Sequence, residues 1–375
     1  MKELELKDLY EGFRDPNTIK TLSQKIKKMA LKLDKPLHIM EVCGGHTHAI
    51  MKYGLPQLLP ENINFVHGPG CPVCIMPKER IDHAIALAMM PNTILLTLGD
   101  MIKVPGSQSS LAELRAEGYD IRPLYTPLDA ISIAQENPDK KVIFFAVGFE
   151  TTTPMTAAII QTTLKENISN LFFHINHVLV PPAIEAIMED AQANIDAFIG
   201  PSHVSVISGA KIYQSIPSRY QTPLVVSGFE PVDILEGILM ILEQKLNKAS
   251  SLQIQYSRSV TLEGNLKAQN LIKTYMQTRS HFRWRGIGDI KHSALELKDD
   301  YAHLNAEKTF AELLPSTPID DHKLCICGSL LKGLASPKDC SLFGKSCTPN
   351  TPLGSCMVSS EGSCNAYYRY EGVTA

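Results

Sequence analysis

Lys141-Val142-Ile143-Phe144-Phe145-Ala146-Val147 is apolar at every position after the first and runs straight into Gly148-Phe149-Glu150-Thr151-Thr152-Thr153-Pro154. A strand with one wet face alternates apolar and polar residues. A run that is apolar on both faces suits a parallel sheet covered on both sides. Thr93-Ile94-Leu95-Leu96-Thr97-Leu98 repeats the pattern. Working outward, short runs predict strands at 37–42, 62–67, 93–98, 120–125, 141–147, 170–175, 195–199 and 223–227. Helices fall between them, for example at 79–90 and at 182–193, the second opened by Pro181-Pro182. Alternating strand and helix implies an α/β fold.

The sequence also suggests an internal duplication. Val66-His67-Gly68-Pro69-Gly70-Cys71 aligns with Phe198-Ile199-Gly200-Pro201-Ser202-His203, and Leu96-Thr97-Leu98-Gly99 aligns with Val225-Val226-Ser227-Gly228. Two similar parallel-sheet α/β domains are expected, 36–135 and 136–245. An N-terminal helical segment, 1–35, precedes them, with Asp15 as cap and Pro16 in the first turn of a helix reaching about Leu33. Residues 246–375 form a more polar, helical part, clearest from Asn265 to Met276, and then a Cys-rich tail from 316. The only tryptophan, Trp284, is expected to pack between domains.

The formal charge of −3 offers no basic field for nucleic acid or for an anionic membrane. No apolar run approaches the ~20 residues that span a bilayer. Met1-Lys2-Glu3-Leu4-Glu5-Leu6-Lys7 has no signal-peptide core. The expected location is therefore the cytoplasm, where disulfides are rarely structural. Nine cysteines then point to metal binding or redox chemistry. Cys43, Cys71 and Cys74 lie in the first quarter, and Cys325, Cys327, Cys340, Cys347, Cys356 and Cys364 crowd the tail.

In an open α/β sheet, ligands sit outside the carboxyl ends of the strands. The unusual loops fall there: Cys43-Gly44-Gly45-His46-Thr47-His48, Gly68-Pro69-Gly70-Cys71-Pro72-Val73-Cys74, 99–106, and 148–154. Cys43 with His46 is a sulfur and imidazole set for a transition metal or for thiol chemistry. Cys71 and Cys74 are spaced to cycle between dithiol and disulfide, with the helix after Pro77 favouring thiolate. Alternatively they are half of a zinc site completed by Cys43 and His46. Glu150 is either an acid or base facing the cleft or a helix N-terminal carboxylate beside a Thr151 cap. For Asp100 and His203 a structural role is expected. The tail spacings, C-x-C-x12-C-x6-C-x8-C-x7-C, lack the paired knuckles of structural zinc but suit an iron–sulfur cluster, with two thiols left over. Spacing does not choose which four bind.

Together, Glu41 to His48, Gly68 to Cys74, Gly148 to Thr152, Trp284-Arg285-Gly286, Leu342-Phe343-Gly344 and Cys356 to Cys364 resemble the HypD family of hydrogenase maturation factors, across nearly the whole chain. The resemblance implies a scaffold for the Fe(CN)2CO unit of [NiFe] hydrogenase. It implies a small HypC-type partner, a HypE-type cyanide donor, and a C-terminal domain with one [4Fe–4S] cluster. It further implies Cys325, Cys340, Cys347 and Cys364 as cluster ligands, with Cys327 and Cys356 as the neighbouring dithiol. Cys43 would anchor the transient iron that carries CN and CO. His46 would be a further ligand or a hydrogen-bond donor to a cyanide nitrogen. Electrons would pass between Cys71/Cys74 and the cluster through Cys327/Cys356. An iron–sulfur thiol-disulfide oxidoreductase acting on a protein partner is the alternative, and a zinc-dependent binding module is a third reading.

Overall fold

The structure is a computed structural model and describes residues 11–371, so the first ten residues of the expected N-terminal segment lie outside it. The first long helix, Pro16–Ala30, opens as expected: the Asp15 carboxylate accepts the Thr18 N–H at 2.7 Å. Its Ile26 and Ala30 are buried in one core cluster with Ile238 and Leu242 of the helix Pro231–Leu246.

All eight expected strands form, as β1 (Leu37–Glu41), β2 (Ile63–His67), β3 (Thr93–Leu98), β4 (Ile121–Leu124), β5 (Lys141–Gly148), β6 (Leu171–His177), β7 (Ala197–Pro201) and β8 (Leu224–Ser227). A short ninth, β9 (Leu252–Ile254), was not foreseen; three half-buried residues carry too little apolar signal. The nine make two parallel sheets, ordered β2-β1-β7-β8-β9 and β4-β3-β5-β6.

That order cuts across the expected domain boundary at 135/136. β4 and β5 flank the boundary yet share one sheet, while β1 pairs with β7, Ile39 opposite Ala197. The chain starts the first sheet, leaves to build the whole of the second, and returns to finish the first. The aligned segments of the expected duplication do not fall one per sheet either, because β2 and β7 flank β1 in the same sheet. A parallel pair needs a crossover long enough for a helix, so crossover length does not tell which sheet the next strand joins.

Residues 246–315 are less helical than expected. After the helix Leu266–Tyr275 come two antiparallel pairs, Met276–Thr278 with Leu295–Leu297 and His281–Trp284 with Gly288–Lys291. Trp284 is fully buried, 6.1 Å between ring centroids from Phe149 at the end of the second sheet, and its Nε1–H donates to Ser293 Oγ at 2.9 Å. The tail packs Cys327, Leu330, Leu331 and Met357 into the core cluster shared by both sheets. Among the described residues, no helix is long and apolar enough to cross a membrane.

Candidate metal and thiol site

Cys43 stands just past the carboxyl end of β1, in extended backbone, as the residue before the helix Gly44–Lys52. Two loops hold it. Gly44 N–H donates to Gly70 O at 2.8 Å, and a Cβ on Gly70 would lie 2.4 Å from the Cys43 carbonyl carbon. Only glycine permits that approach, so the Cys43 loop and the Cys71 loop are packed back to back.

Beneath them lies Glu41, fully buried. Its Oε2 accepts the Cys43 N–H at 3.1 Å; its Oε1 accepts from the Thr47 hydroxyl and pairs with His67 Nδ1 at 2.7 Å. Burial pushes the Glu41 carboxyl up, and the bonds from His67, Thr47 and Cys43 oppose that. No role was assigned to Glu41 or His67 from the sequence. The available signal was a carboxylate in an apolar strand, which demands a buried partner.

Cys43 lines a cleft of about 170 Å³ with Gly70, Leu98, Gly148, Thr151, Thr152, His203 and Glu361, so three of the four loops expected at the strand ends contribute to it, while 99–106 supplies no lining residue. The Cys43 thiol is pushed well up, first by burial and then by the Glu361 charge, with a smaller push from Glu41. A cation beside the sulfur reverses this balance, since it favours thiolate outright.

His46 is fully buried, and its Nε2 lies 3.1 Å from Ser227 O and 3.0 Å from Gly228 O. Both partners are acceptors, so Nε2 carries the proton. Burial lowers its pKa to about 4, leaving a neutral ring whose Nδ1 has only a lone pair and no partner. The ring thus has no N–H left to donate to a cyanide nitrogen.

Glu150 fits neither expectation in full. Its Oε1 accepts the N–H of Val180, the first amide of the helix Val180–Met188, and Thr152 rather than Thr151 precedes the helix Thr153–Lys165. Burial raises the Glu150 carboxyl to about 7. Tyr213, also missed, is fully buried with a hydroxyl that has no hydrogen-bond partner. Burial pushes this phenol up, followed by the charges of Glu150 and Cys43.

All nine cysteines are free thiols. Cys71 and Cys74 are buried, because the short helix Pro72–Ile75 packs against the tail. The Cys74 thiol is pushed up by burial and by its thiol neighbours Cys356 and Cys71, so no helix terminus makes it a thiolate. Cys356 shifts down instead, because the Cys327 and Cys74 thiols both bond to its sulfur. Cys327 in turn neighbours Cys325. Cys71, Cys74, Cys356, Cys327 and Cys325 thus follow one another as a line of neighbouring thiols. Ser355 pins its middle: its hydroxyl donates to Cys74 O at 2.6 Å.

All six tail cysteines line one apolar cavity with Ile326, Leu342, Phe343 and Met357. Among the described residues no three His, Cys, Asp or Glu side chains converge to hold a single metal ion. A polynuclear cluster gives each thiolate its own iron, so its ligands line a cavity rather than meet at a point. Leu353 N–H donates to Cys347 Sγ at 3.4 Å, so this sulfur already accepts one backbone bond.

Arg285, in the segment read only as packing, is buried beside this line. It pairs with Asp321 at 2.5 Å, its Nε and Nη1 have no hydrogen-bond partner, and the charges of Cys327 and Cys356 act on it. Gly286, at φ +76°, brings its backbone against Gly328, where a Cβ would lie 2.6 Å from the Gly328 Cα.

The Cys43 loop and three thiols of the line, Cys71, Cys74 and Cys356, lie in segments that carry the family resemblance. The HypD family, described as "Hydrogenase formation hypA family", matches residues 17–371. The chain belongs to the HypD family. HypD-family relatives are similar over almost their whole length. "Hydrogenase expression/formation protein HupD" of Azotobacter chroococcum mcd 1 is 47% identical over 366 residues, 96% of each chain. "Hydrogenase maturation factor HypD" of Azotobacter vinelandii is 46% identical over the same span, again 96% of each. "Hydrogenase maturation factor HypD" of Escherichia coli (strain K12) is 44% identical over 364 residues, 96% of this chain and 97% of the relative.

Proposed function

We propose that this HypD-family chain is an assembly scaffold in hydrogenase maturation. With a small HypC-type partner it holds iron at Cys43, while cyanide from a HypE-type donor and carbon monoxide are added to build the Fe(CN)2CO unit of [NiFe] hydrogenase. Iron is the cargo. The work takes place in the cytoplasm, where thiols stay reduced. One observation carries the reading: a line of neighbouring thiols runs from the loop packed behind Cys43 to a cavity ringed by six cysteines.

Cys43 supplies a soft sulfur donor in a cleft whose nearby carboxylates favour a cation. Cys325, Cys340, Cys347 and Cys364 would hold a [4Fe–4S] cluster, and the thiol-rich, apolar cavity fits one. Such a cluster would exchange single electrons with the Cys327/Cys356 pair, two of them with two protons converting its disulfide to the dithiol. The chain's own part is thiol exchange. Cys356 attacks a Cys71–Cys74 disulfide at Cys74, forming a Cys74–Cys356 bond and releasing Cys71. Cys327 then attacks Cys356 and releases Cys74. Two electrons and two protons pass from Cys327/Cys356 to Cys71/Cys74, and the exchange is reversible.

Infrared spectroscopy of the protein copurified with its small partner under maturation conditions tests the scaffold. CN and CO stretching bands are expected, and they should vanish in Cys43→Ala while the visible absorption of the tail remains. Bands absent from the wild type would leave a thiol-disulfide oxidoreductase acting on a protein partner as the better account of the relay.

A further inference from the structure

We propose that His203, not His46, is the imidazole that faces cargo held at Cys43, donating its N–H to the terminal nitrogen of an iron-bound cyanide. This rests on the scaffold reading above. His203 lies in the first turn of the helix Ser202–Ser208, which follows β7, and it lines the cleft together with Cys43. Phe229 stands between the two histidines: His203 packs against its ring at 4.4 Å between centroids, tilted by 54°, and His46 at 4.5 Å, tilted by 39°. His46 is therefore walled off and has spent its N–H on two carbonyls.

Among the described residues, no protein group bonds to either ring nitrogen of His203. It is a histidine held by its tilted contact with Phe229, with its polar edge uncommitted. Metal-bound cyanide keeps a basic nitrogen that accepts hydrogen bonds, and a donor fixed beside it would orient the fragment. Among the other polar cleft side chains, Thr151 keeps a hydroxyl that could also donate, whereas Glu361 and Thr152 suit this poorly. Glu361 is an acceptor when ionised, and Thr152 already donates its hydroxyl to Phe149 O at 3.3 Å. His203 is accordingly a positioning residue for the cargo.

The test compares wild type, His203→Phe and His203→Gln, each copurified with the small partner and examined by infrared spectroscopy, with hydrogenase maturation assayed in cells. His203→Phe keeps a ring against Phe229 and loses the N–H; His203→Gln restores an N–H of similar reach. Displaced CN bands and about ten-fold weaker maturation are expected for His203→Phe, as for loss of other groups that orient metal ligands. Both should return toward wild type in His203→Gln, with melting temperature and tail absorption unchanged throughout. Wild-type bands that His203→Phe leaves in place would overturn this inference and spare the scaffold. Bands absent from the wild type itself would overturn the scaffold.

Discussion

Cys356 is a thiol neighbour of Cys74, and the adjacent Ser355 donates its hydroxyl to Cys74 O at 2.6 Å, joining the tail to the loop behind Cys43. With Cys71 and Cys327 replaced by serine, these two sulfurs are left facing one another. Mild oxidation should give a Cys74–Cys356 disulfide, found as a linked peptide pair in a non-reduced digest. A digest with no such pair would remove the relay from the mechanism.

Cys340 is one of six thiols around the apolar cavity. In a segment with so little regular structure, metal binding is folding free energy. Cys340→Ala should abolish the visible absorption of the anaerobically purified protein and make the tail susceptible to proteolysis. An unchanged spectrum would take Cys340 out of the ligand set.

Gly44 carries the tail on its α-carbon: a Cβ there would stand 2.3 Å from Glu361 Cβ and 2.8 Å from Glu361 O. Gly44→Ala must push residues around 361 away from the Cys43 cleft. The expected loss is roughly 1–3 kcal/mol in urea unfolding, the usual range for overpacking. Maturation should fall as well. Stability equal to wild type would mean that the contact is not kept in solution.

The Glu150 carboxyl is raised from 4.5 to about 7 by burial. A raised acid stabilises the fold fully below its unfolded value and ceases to as pH climbs through its folded value. Relative to Glu150→Gln, which keeps an oxygen for the Val180 N–H, wild type should lose roughly 3 kcal/mol between pH 4.5 and pH 7. Parallel stability curves for the two proteins would show that Glu150 does not titrate there.

Much of the fold is legible in the sequence, because each central strand is its own apolar run. Ile143, Phe144 and Phe145 need no partner to identify them as buried on both faces. Which sheet a strand joins is not legible, since β1 meets β7 through contacts far apart in sequence. The site divides in the same way. Cys43, Cys71 and the tail thiols stand out as residue types in an expected reducing compartment. The Cys74 to Cys356 contact depends on the packing of Pro72–Ile75 against Ser355. The contrast between His46 and His203 rests on where the carbonyls of Ser227 and Gly228 point, and no local motif encodes that.

The pairing of β1 with β7 also sets a timetable for synthesis. A ribosome delivers Cys43 early, yet the strand before it gains its neighbour on that side only when residues 197–201 emerge, and the carbonyls that fix His46 come later still, at 227 and 228. Glu361 and the six tail thiols follow last. A nascent chain therefore presents Cys43 without its cleft. On the proposed scaffold reading, iron loading at Cys43 would wait for a completed protein.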